Sequence, residues 1–198
     1  MTAWEQTADV LIRDVQLRRR VHELAREMER VLAGTKQPPV LVGVLKGSTL
    51  FLADLIRSFD GHVEVDFISI SSYAGGGQSG VVRIVKDLET DIRGRDVVIV
   101  EDIVDTGLTL NYLRQTLADR ETNSLRAVTL LDKVARRIVP VELEFAGFEI
   151  EDVFVVGYGL DFQGRYRNVP DILAVKDIAK LANDPMLLVE PLFLEKYA

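Results

Sequence analysis

Residues 97–110 of this chain read Val-Val-Ile-Val-Glu-Asp-Ile-Val-Asp-Thr-Gly-Leu-Thr-Leu. Four β-branched residues in a row predict a strand buried on both faces, as in a parallel sheet. Two adjacent carboxylates follow the strand, a third comes three residues later, and Thr-Gly-x-Thr opens a predicted helix over 108–118. Because a helix N-terminus offers unpaired N–H groups and partial positive charge, it suits a phosphate. The segment therefore predicts an α/β fold and an anion site together.

Similar strand-forming runs recur along the rest of the chain, with helical segments between several of them. The pattern predicts helices over 14–32 and 48–59, and strands over 40–45, 63–71, 81–85, 125–131, 153–156 and 172–175. This alternation favours an open, mainly parallel twisted sheet with helices on both faces. Ligands of such sheets bind beyond the carboxyl ends of the strands. We therefore expect the chemistry in the loops after Leu45, Val100, Leu131 and Val156.

Composition narrows the class of protein. The 198 residues favour one domain over 1–198, and a net charge of −7 disfavours binding to a nucleic-acid backbone. The chain has no cysteine, which excludes disulfides, thiolate zinc sites and cysteine nucleophiles. No apolar run approaches the ~20 residues of a membrane helix, and the pattern of the first residues leads us to expect no signal peptide. We expect a soluble, cytoplasmic protein.

The side chains around the predicted anion site are specific in kind. Thr106 and Thr109 add hydroxyl donors, and Gly107 lets the backbone approach closely. No lysine stands where a Walker-type loop has one, which excludes an ATPase loop. Glu101 and Asp102 suit either ribose hydroxyls or a hard cation such as Mg²⁺. A simple helix cap explains one residue here but not three crowded carboxylates.

Residues 101–109, after their β-branched strand, resemble the phosphoribosyl-pyrophosphate motif of type I phosphoribosyltransferases. From about residue 17 to residue 177 the chain resembles the hypoxanthine(-guanine) phosphoribosyltransferases in particular, with several motifs in order. The resemblance implies an α/β fold with a small hood made from terminal segments. It also implies purine salvage: transfer of a 5-phosphoribosyl group from its pyrophosphate to hypoxanthine, and to guanine, with Mg²⁺ as cofactor.

The resemblance implies roles for the two loops that would hold the phosphoribosyl donor. Asp105 would be the general base, acting on a proton of the purine's five-membered ring. Lys46, Gly47 and Arg167 would hold the pyrophosphate, and the Lys46–Gly47 link is expected in an unusual backbone form, often a cis peptide. The donor-binding loop comprises Glu101, Asp102, Ile103, Val104, Thr106, Gly107, Leu108 and Thr109.

The purine and the second metal site draw on other strand ends. Lys133 can donate only, so it suits the oxygen at position six of a purine and disfavours adenine. By resemblance, Phe154 would stack on the purine and the Val155 backbone would read its edge, although core packing is the commoner fate of such a phenylalanine. Asp161 would lie near the pyrophosphate and a second Mg²⁺, giving Glu101, Asp102 and Asp161 as metal-binding residues.

A glycine-rich segment follows the predicted strand over 63–71. Its composition alone favours a long, passive hairpin loop. In the resembled family a Ser-Tyr pair marks a closing loop, so Ser72 and Tyr73 are expected to bind substrate within a mobile lid over 72–80.

Other features leave alternatives open. Arg136 and Arg137 are expected on a solvated face or near a subunit contact, and Arg165 has no assigned role. The apolar extension over 178–198 suits either a subunit interface or packing on its own subunit, and we expect a homodimer or homotetramer. Rival functions are a xanthine-preferring phosphoribosyltransferase and a nucleotide-sensing regulator that binds nucleic acid.

Overall fold

The computed structural model describes residues 7–72, 82–189 and 192–193. They fall into two compact units, Arg20–Glu151 and the described parts of Met1–Arg19 with Asp152–Ala198. In chain order the elements are β1 (Ala8–Ile12), α1 (Asp14–Leu32), β2 (Val40–Leu45), α2 (Thr49–Arg57), β3 (Glu64–Ser72), β4 (Val82–Lys86), β5 (Asp96–Val104), α3 (Leu108–Ala118), β6 (Ser124–Asp132), a 3-10 turn (Val134–Arg136), β7 (Phe145–Glu149), β8 (Phe154–Val156), β9 (Ile172–Val175) and α4 (Ile178–Asn183). No helix in these described ranges combines the length and the apolar character needed to span a membrane.

The larger unit is built on a six-stranded sheet in the order β4-β3-β2-β5-β6-β7. The β3–β4 pair is antiparallel and every other neighbouring pair is parallel. The expected mainly parallel sheet is therefore confirmed. The two most continuous apolar runs, β2 and β5, lie at its centre, where both faces are covered.

Helices α2 and α3 cover opposite faces of this sheet. Alternate residues of β2, such as Val42, share a core cluster with Leu110, Leu113 and Leu117 of α3. Gly43 points the other way, because a Cβ built on it would lie 2.7 Å from Leu52 of α2. Since successive strand residues face opposite sides, the expected helices on both faces are confirmed.

The smaller unit contains an antiparallel sheet in the order β1-β9-β8. Its first strand comes from the N-terminal segment and its other two from the C-terminal part of the chain. The expectation that terminal segments form a small part of the fold is confirmed, as an antiparallel sheet. The extension after β9 packs on the core of this unit, with Leu181 and Leu188 fully buried. Helix α4 ends before Asp184-Pro185, since the residue before a proline disfavours helix.

Strand β5 is longer than the sequence indicated. It continues past Val100 because it pairs with β6 in register as far as Val104 and Asp132. Glu101 and Asp102 therefore lie on a strand. The expectation that they belong to the loop after Val100 is wrong.

Candidate active site

A tight loop joins the carboxyl end of β5 to α3. Gly107, the residue before the helix, has φ +84°, a conformation that glycine adopts without a Cβ penalty. The Leu108 N–H donates to Thr106 Oγ1 at 3.4 Å. The N–H groups of the first helical turn have no partner within a helix. The loop, which we call the phosphate loop (residues 105–109), therefore combines hydroxyl groups with a helix N-terminus.

The connection after β6 covers one side of the phosphate loop. The N–H groups of Ile138 and Val139 donate to Thr106 O at 3.0 and 3.2 Å. A Cβ on Gly107 would lie 2.6 Å from Val139 O and 2.9 Å from Arg137 Cδ. Two backbones thus meet at Gly107 with no room for a side chain. We call residues 133–139 the clamp segment.

The Asp105 carboxylate faces two cations of the clamp segment. Its Oδ2 lies 3.9 Å from Nζ of the buried Lys133, and its Oδ1 lies 3.1 Å from Arg136 Nε. The Arg136 contact is an ion pair by distance but lacks hydrogen-bond alignment, because Asp105 Oδ1 accepts no hydrogen bond within the described residues. The group proposed from sequence as general base is therefore held beside the predicted purine-reading lysine.

Arg137 reaches the backbone of the same loop. Its guanidinium donates to Asp105 O at 3.3 Å and pairs with Asp132 at the end of β6. Its side chain is only 16% exposed. The expectation of a solvated face is wrong for Arg137, whereas Arg136 is 47% exposed, as expected, and pairs with Asp105 at the same time. A basic pair three residues after a strand-end lysine was the available signal, but Asp105 is distant from it in sequence.

The two carboxylates of β5 differ in environment. Glu101 is 4% exposed, and its Oε1 has no hydrogen-bond partner among the described residues. Burial raises the pKa of Glu101 well above its usual value, and the negative charge of Asp102 adds to this. Asp102 faces the turn after β2, because a Cβ on Gly47 would lie 1.6 Å from Asp102 Oδ2.

The turn after β2 is braced by hydroxyl groups. The buried Ser48 Oγ donates to Val44 O at 2.6 Å, and Thr49 Oγ1 donates to Lys46 O at 2.7 Å. A cis peptide bond joins Leu45 to Lys46, one bond earlier than the expected Lys46–Gly47 position. Sequence reasoning did not single out Ser48 as part of the site, because a serine at a helix start is common.

Four predicted residues lie in the smaller unit. Phe154 meets Phe162 edge to face, with ring centroids 5.8 Å apart, and Val155 pairs with Ala174 across β8 and β9. Asp161 forms a 2.7 Å ion pair with Arg167, which also donates to Gly159 O at 2.6 Å. The two residues assigned to pyrophosphate are therefore partners of each other.

The structure describes only part of the predicted lid. Ser72 ends β3, whereas Tyr73 and residues 74–81, most of the expected lid, lie outside the described residues. Within the described ranges, no three acidic or histidine side chains gather into a metal-binding group. Arg165, which had no assigned role, contacts Met186 Sδ at 3.2 Å and Gln163 O at 3.1 Å.

The chain is similar to known proteins over most of its length. The family model of the phosphoribosyl transferase domain matches residues 15–163. The hypoxanthine-guanine phosphoribosyltransferase of Bacillus subtilis is 46% identical over 168 residues, covering 84% of this chain and 92% of that protein. The hypoxanthine phosphoribosyltransferase of Escherichia coli is 48% identical over 170 residues, covering 85% and 95%. A Trypanosoma cruzi hypoxanthine phosphoribosyltransferase structure superposes with a TM-score of 0.84 at 38% identity, covering 91% of this chain and 97% of that one.

Proposed function

This chain belongs to the hypoxanthine(-guanine) phosphoribosyltransferases, the purine-salvage enzymes of the type I phosphoribosyltransferase family, and on that basis we propose that Asp105 is its general base. One observation carries the proposal. The Asp105 carboxylate lies 3.9 Å from Lys133 Nζ, while its own backbone opens the phosphate loop. The groups suited to the purine and to the sugar phosphate thus converge on one carboxylate.

In the reaction, a purine ring nitrogen bonds to the anomeric carbon of the sugar while the bond from that carbon to pyrophosphate breaks. Asp105 accepts the proton that the ring nitrogen loses. As pyrophosphate departs, positive charge builds on the sugar, so preorganised charges contribute most. Asp102 supplies such a negative charge on β5, whereas burial favours the neutral form of Glu101.

The phosphate loop is proposed to hold the 5′-phosphate through Thr106, Gly107 and Thr109. Backbone N–H groups and hydroxyls at a helix N-terminus donate to phosphate oxygens without a lysine. Ile103, Val104 and Leu108 contribute the adjoining backbone and apolar wall. On the other side of Asp102, Lys46 and Gly47 suit the pyrophosphate, with Arg167 as a guanidinium clamp.

Purine recognition is proposed to rest on Lys133. It lies on a loop at the carboxyl end of β6 and donates a hydrogen bond to the oxygen at position six. Phe154 and Val155 keep the roles that the family resemblance implies, stacking on the ring and reading its edge. Hypoxanthine and guanine both carry the oxygen at position six that Lys133 would bind, which supports them as substrates. Steady-state kinetics with hypoxanthine, guanine and xanthine would rank the three bases.

The β5 carboxylates fit Mg²⁺ in donor type. Mg²⁺ usually takes one or two carboxylates and fills its remaining positions with water and substrate phosphates. Glu101 and Asp102 supply such a pair, and the buried Glu101 Oε1 accepts no hydrogen bond from any residue that the structure describes. We propose that they hold Mg²⁺ or the ribose hydroxyls, with Asp161 at a second ion. Bound Mg²⁺ would neutralise the departing pyrophosphate.

We also propose a homodimer or homotetramer. Val65 on β3 and Val85 on the adjoining edge strand β4 are exposed apolar side chains, 37% and 67% accessible. Burial of such side chains favours self-association. Sedimentation velocity of the wild-type protein would give the state directly, and a purely monomeric species at micromolar concentration would contradict this proposal.

Asp105→Asn tests the assignment of the base. The amide keeps the shape of the side chain but cannot accept the proton, so turnover should fall about 10²-fold or more. The affinity for phosphoribosyl pyrophosphate should change little. The assay is formation of inosine monophosphate from hypoxanthine in the absence of nucleic acid. Near wild-type turnover in the variant would show that Asp105 is not the general base. Absence of product with the wild-type protein would contradict the phosphoribosyltransferase activity itself.

A further inference from the structure

We propose that Arg137 is a positioning residue that turns the peptide groups of the phosphate loop toward the 5′-phosphate. The inference rests on the proposed role of that loop. It assigns a function to a guanidinium that would not itself touch the substrate.

Arg137 bridges two parts of the larger unit. It donates to Asp105 O at 3.3 Å and pairs with the Asp132 carboxylate. Both side chains are largely buried, at 16% and 14% exposure, so water screens the pair weakly. Asp132 is fixed by β6, which makes it a rigid anchor for the guanidinium.

The direction of the loop's N–H groups follows from this bridge. A trans peptide is planar, so its N–H points away from its C=O. Arg137 engages Asp105 O, and the clamp segment engages Thr106 O through the Ile138 and Val139 N–H groups. The Thr106 and Gly107 N–H groups, which belong to these same two peptides, therefore point away from the clamp segment. Neither has an acceptor within the described part of the chain.

The clamp segment also carries Lys133, whose N–H donates to Val104 O at 3.0 Å. One short segment thus fixes the purine-reading lysine and both carbonyl groups of the phosphate loop. Loss of the Arg137 bridge would leave Lys133 in place but free the Asp105 peptide to rotate. The effect should fall on the phosphate and spare the base.

The test compares two probes, inosine monophosphate and inosine, which differ only in the 5′-phosphate. The ratio of their dissociation constants measures what the phosphate contributes. In Arg137→Gln that ratio should fall about tenfold, the size of one charge-assisted hydrogen bond, while inosine affinity changes less than about threefold. Arg57→Gln, which removes an exposed arginine from the same unit, should leave both constants unchanged.

Two further variants separate positioning from charge. Arg137→Lys keeps the charge, but one ammonium cannot reproduce the forked bridge, so its ratio should stay near that of Arg137→Gln. Asp132→Asn removes a negative charge, which by electrostatics alone would strengthen phosphate binding. Loss of the anchor predicts weaker phosphate binding instead.

The outcomes are distinguishable. If wild-type protein binds both probes equally, the phosphate loop itself is misassigned and the proposed function fails. If wild type favours the monophosphate but Arg137→Gln keeps the wild-type ratio, only the positioning role fails. A wild-type ratio in Arg137→Lys, or tighter monophosphate binding in Asp132→Asn, would likewise overturn it in favour of charge alone. Equal loss for both probes in Arg137→Gln would reduce Arg137 to a structural residue.

Discussion

Replacing Gly107 by alanine should destabilise the protein more than the backbone conformation alone accounts for. The residue has φ +84°, and a left-handed conformation costs a non-glycine residue about 1–2 kcal/mol. The new Cβ would also lie 2.6 Å from Val139 O, a backbone atom that cannot swing aside. Overpacking of this kind costs about 1–3 kcal/mol. The sum is about 2–5 kcal/mol, or roughly 4–20 °C in Tm for a chain of this size.

Gly34 offers a matched control for this measurement. Its φ is +85°, but nothing lies within 4 Å of a Cβ built there. Gly34→Ala should therefore lose only the conformational part, about 1–2 kcal/mol. Thermal unfolding of the two variants, in one buffer and without ligand, isolates the contact with the clamp segment. Equal losses in both would refute the close packing of that segment on the phosphate loop.

Three other substitutions test separate parts of the site and fold. Burial and the charge of Asp102 raise the pKa of Glu101. The stability that the protonated side chain contributes is therefore complete below the pKa of the unfolded state and is lost as pH rises through the folded pKa. Over that range the Tm of wild type should fall progressively below that of Glu101→Gln, whereas a constant difference would contradict a buried acid. Lys133→Ala should raise the KM for hypoxanthine far more than that for phosphoribosyl pyrophosphate; equal increases would mean that Lys133 serves the fold. Leu188→Ala should lower the free energy of unfolding in urea by about 2–5 kcal/mol. Replacing the half-exposed Met186 by alanine should lower it by only about 0.5 kcal/mol, and similar values for the two would contradict the packing of the C-terminal extension in the core.

The central strands were predictable because their sequences are continuous apolar runs. Val40–Leu45 is apolar throughout, and the β-branched run after Asp96 fits only a strand buried on both faces. Helix α3 follows from the Thr-Gly-x-Thr start. Strand β7 was missed because Phe145–Glu149 carries Ala and Gly, which have low strand propensity. Gly147 is needed there, since a Cβ would lie 2.5 Å from Leu130 O.

The site was only partly predictable, because sequence reveals residue type but not distant partners. The three carboxylates were recognised, yet their separation into a buried Glu101, an Asp102 against Gly47 and an Asp105 between two cations depends on strand pairing. Arg137 contacts Asp105 from 32 positions away. Nothing local distinguishes such an arginine from a solvated one.

The strand β1 has a consequence for biosynthesis. The larger unit is one continuous run, Arg20–Glu151, whereas β1 pairs with β9 at the far end of the chain. A nascent chain emerges from the ribosome N-terminus first. In each newly made molecule β1 therefore stays unpaired until translation is almost complete, while the six-stranded sheet can already assemble. In a polypeptide truncated before β9, β1 would stay unpaired permanently, and an unpaired strand is prone to proteolysis or aggregation.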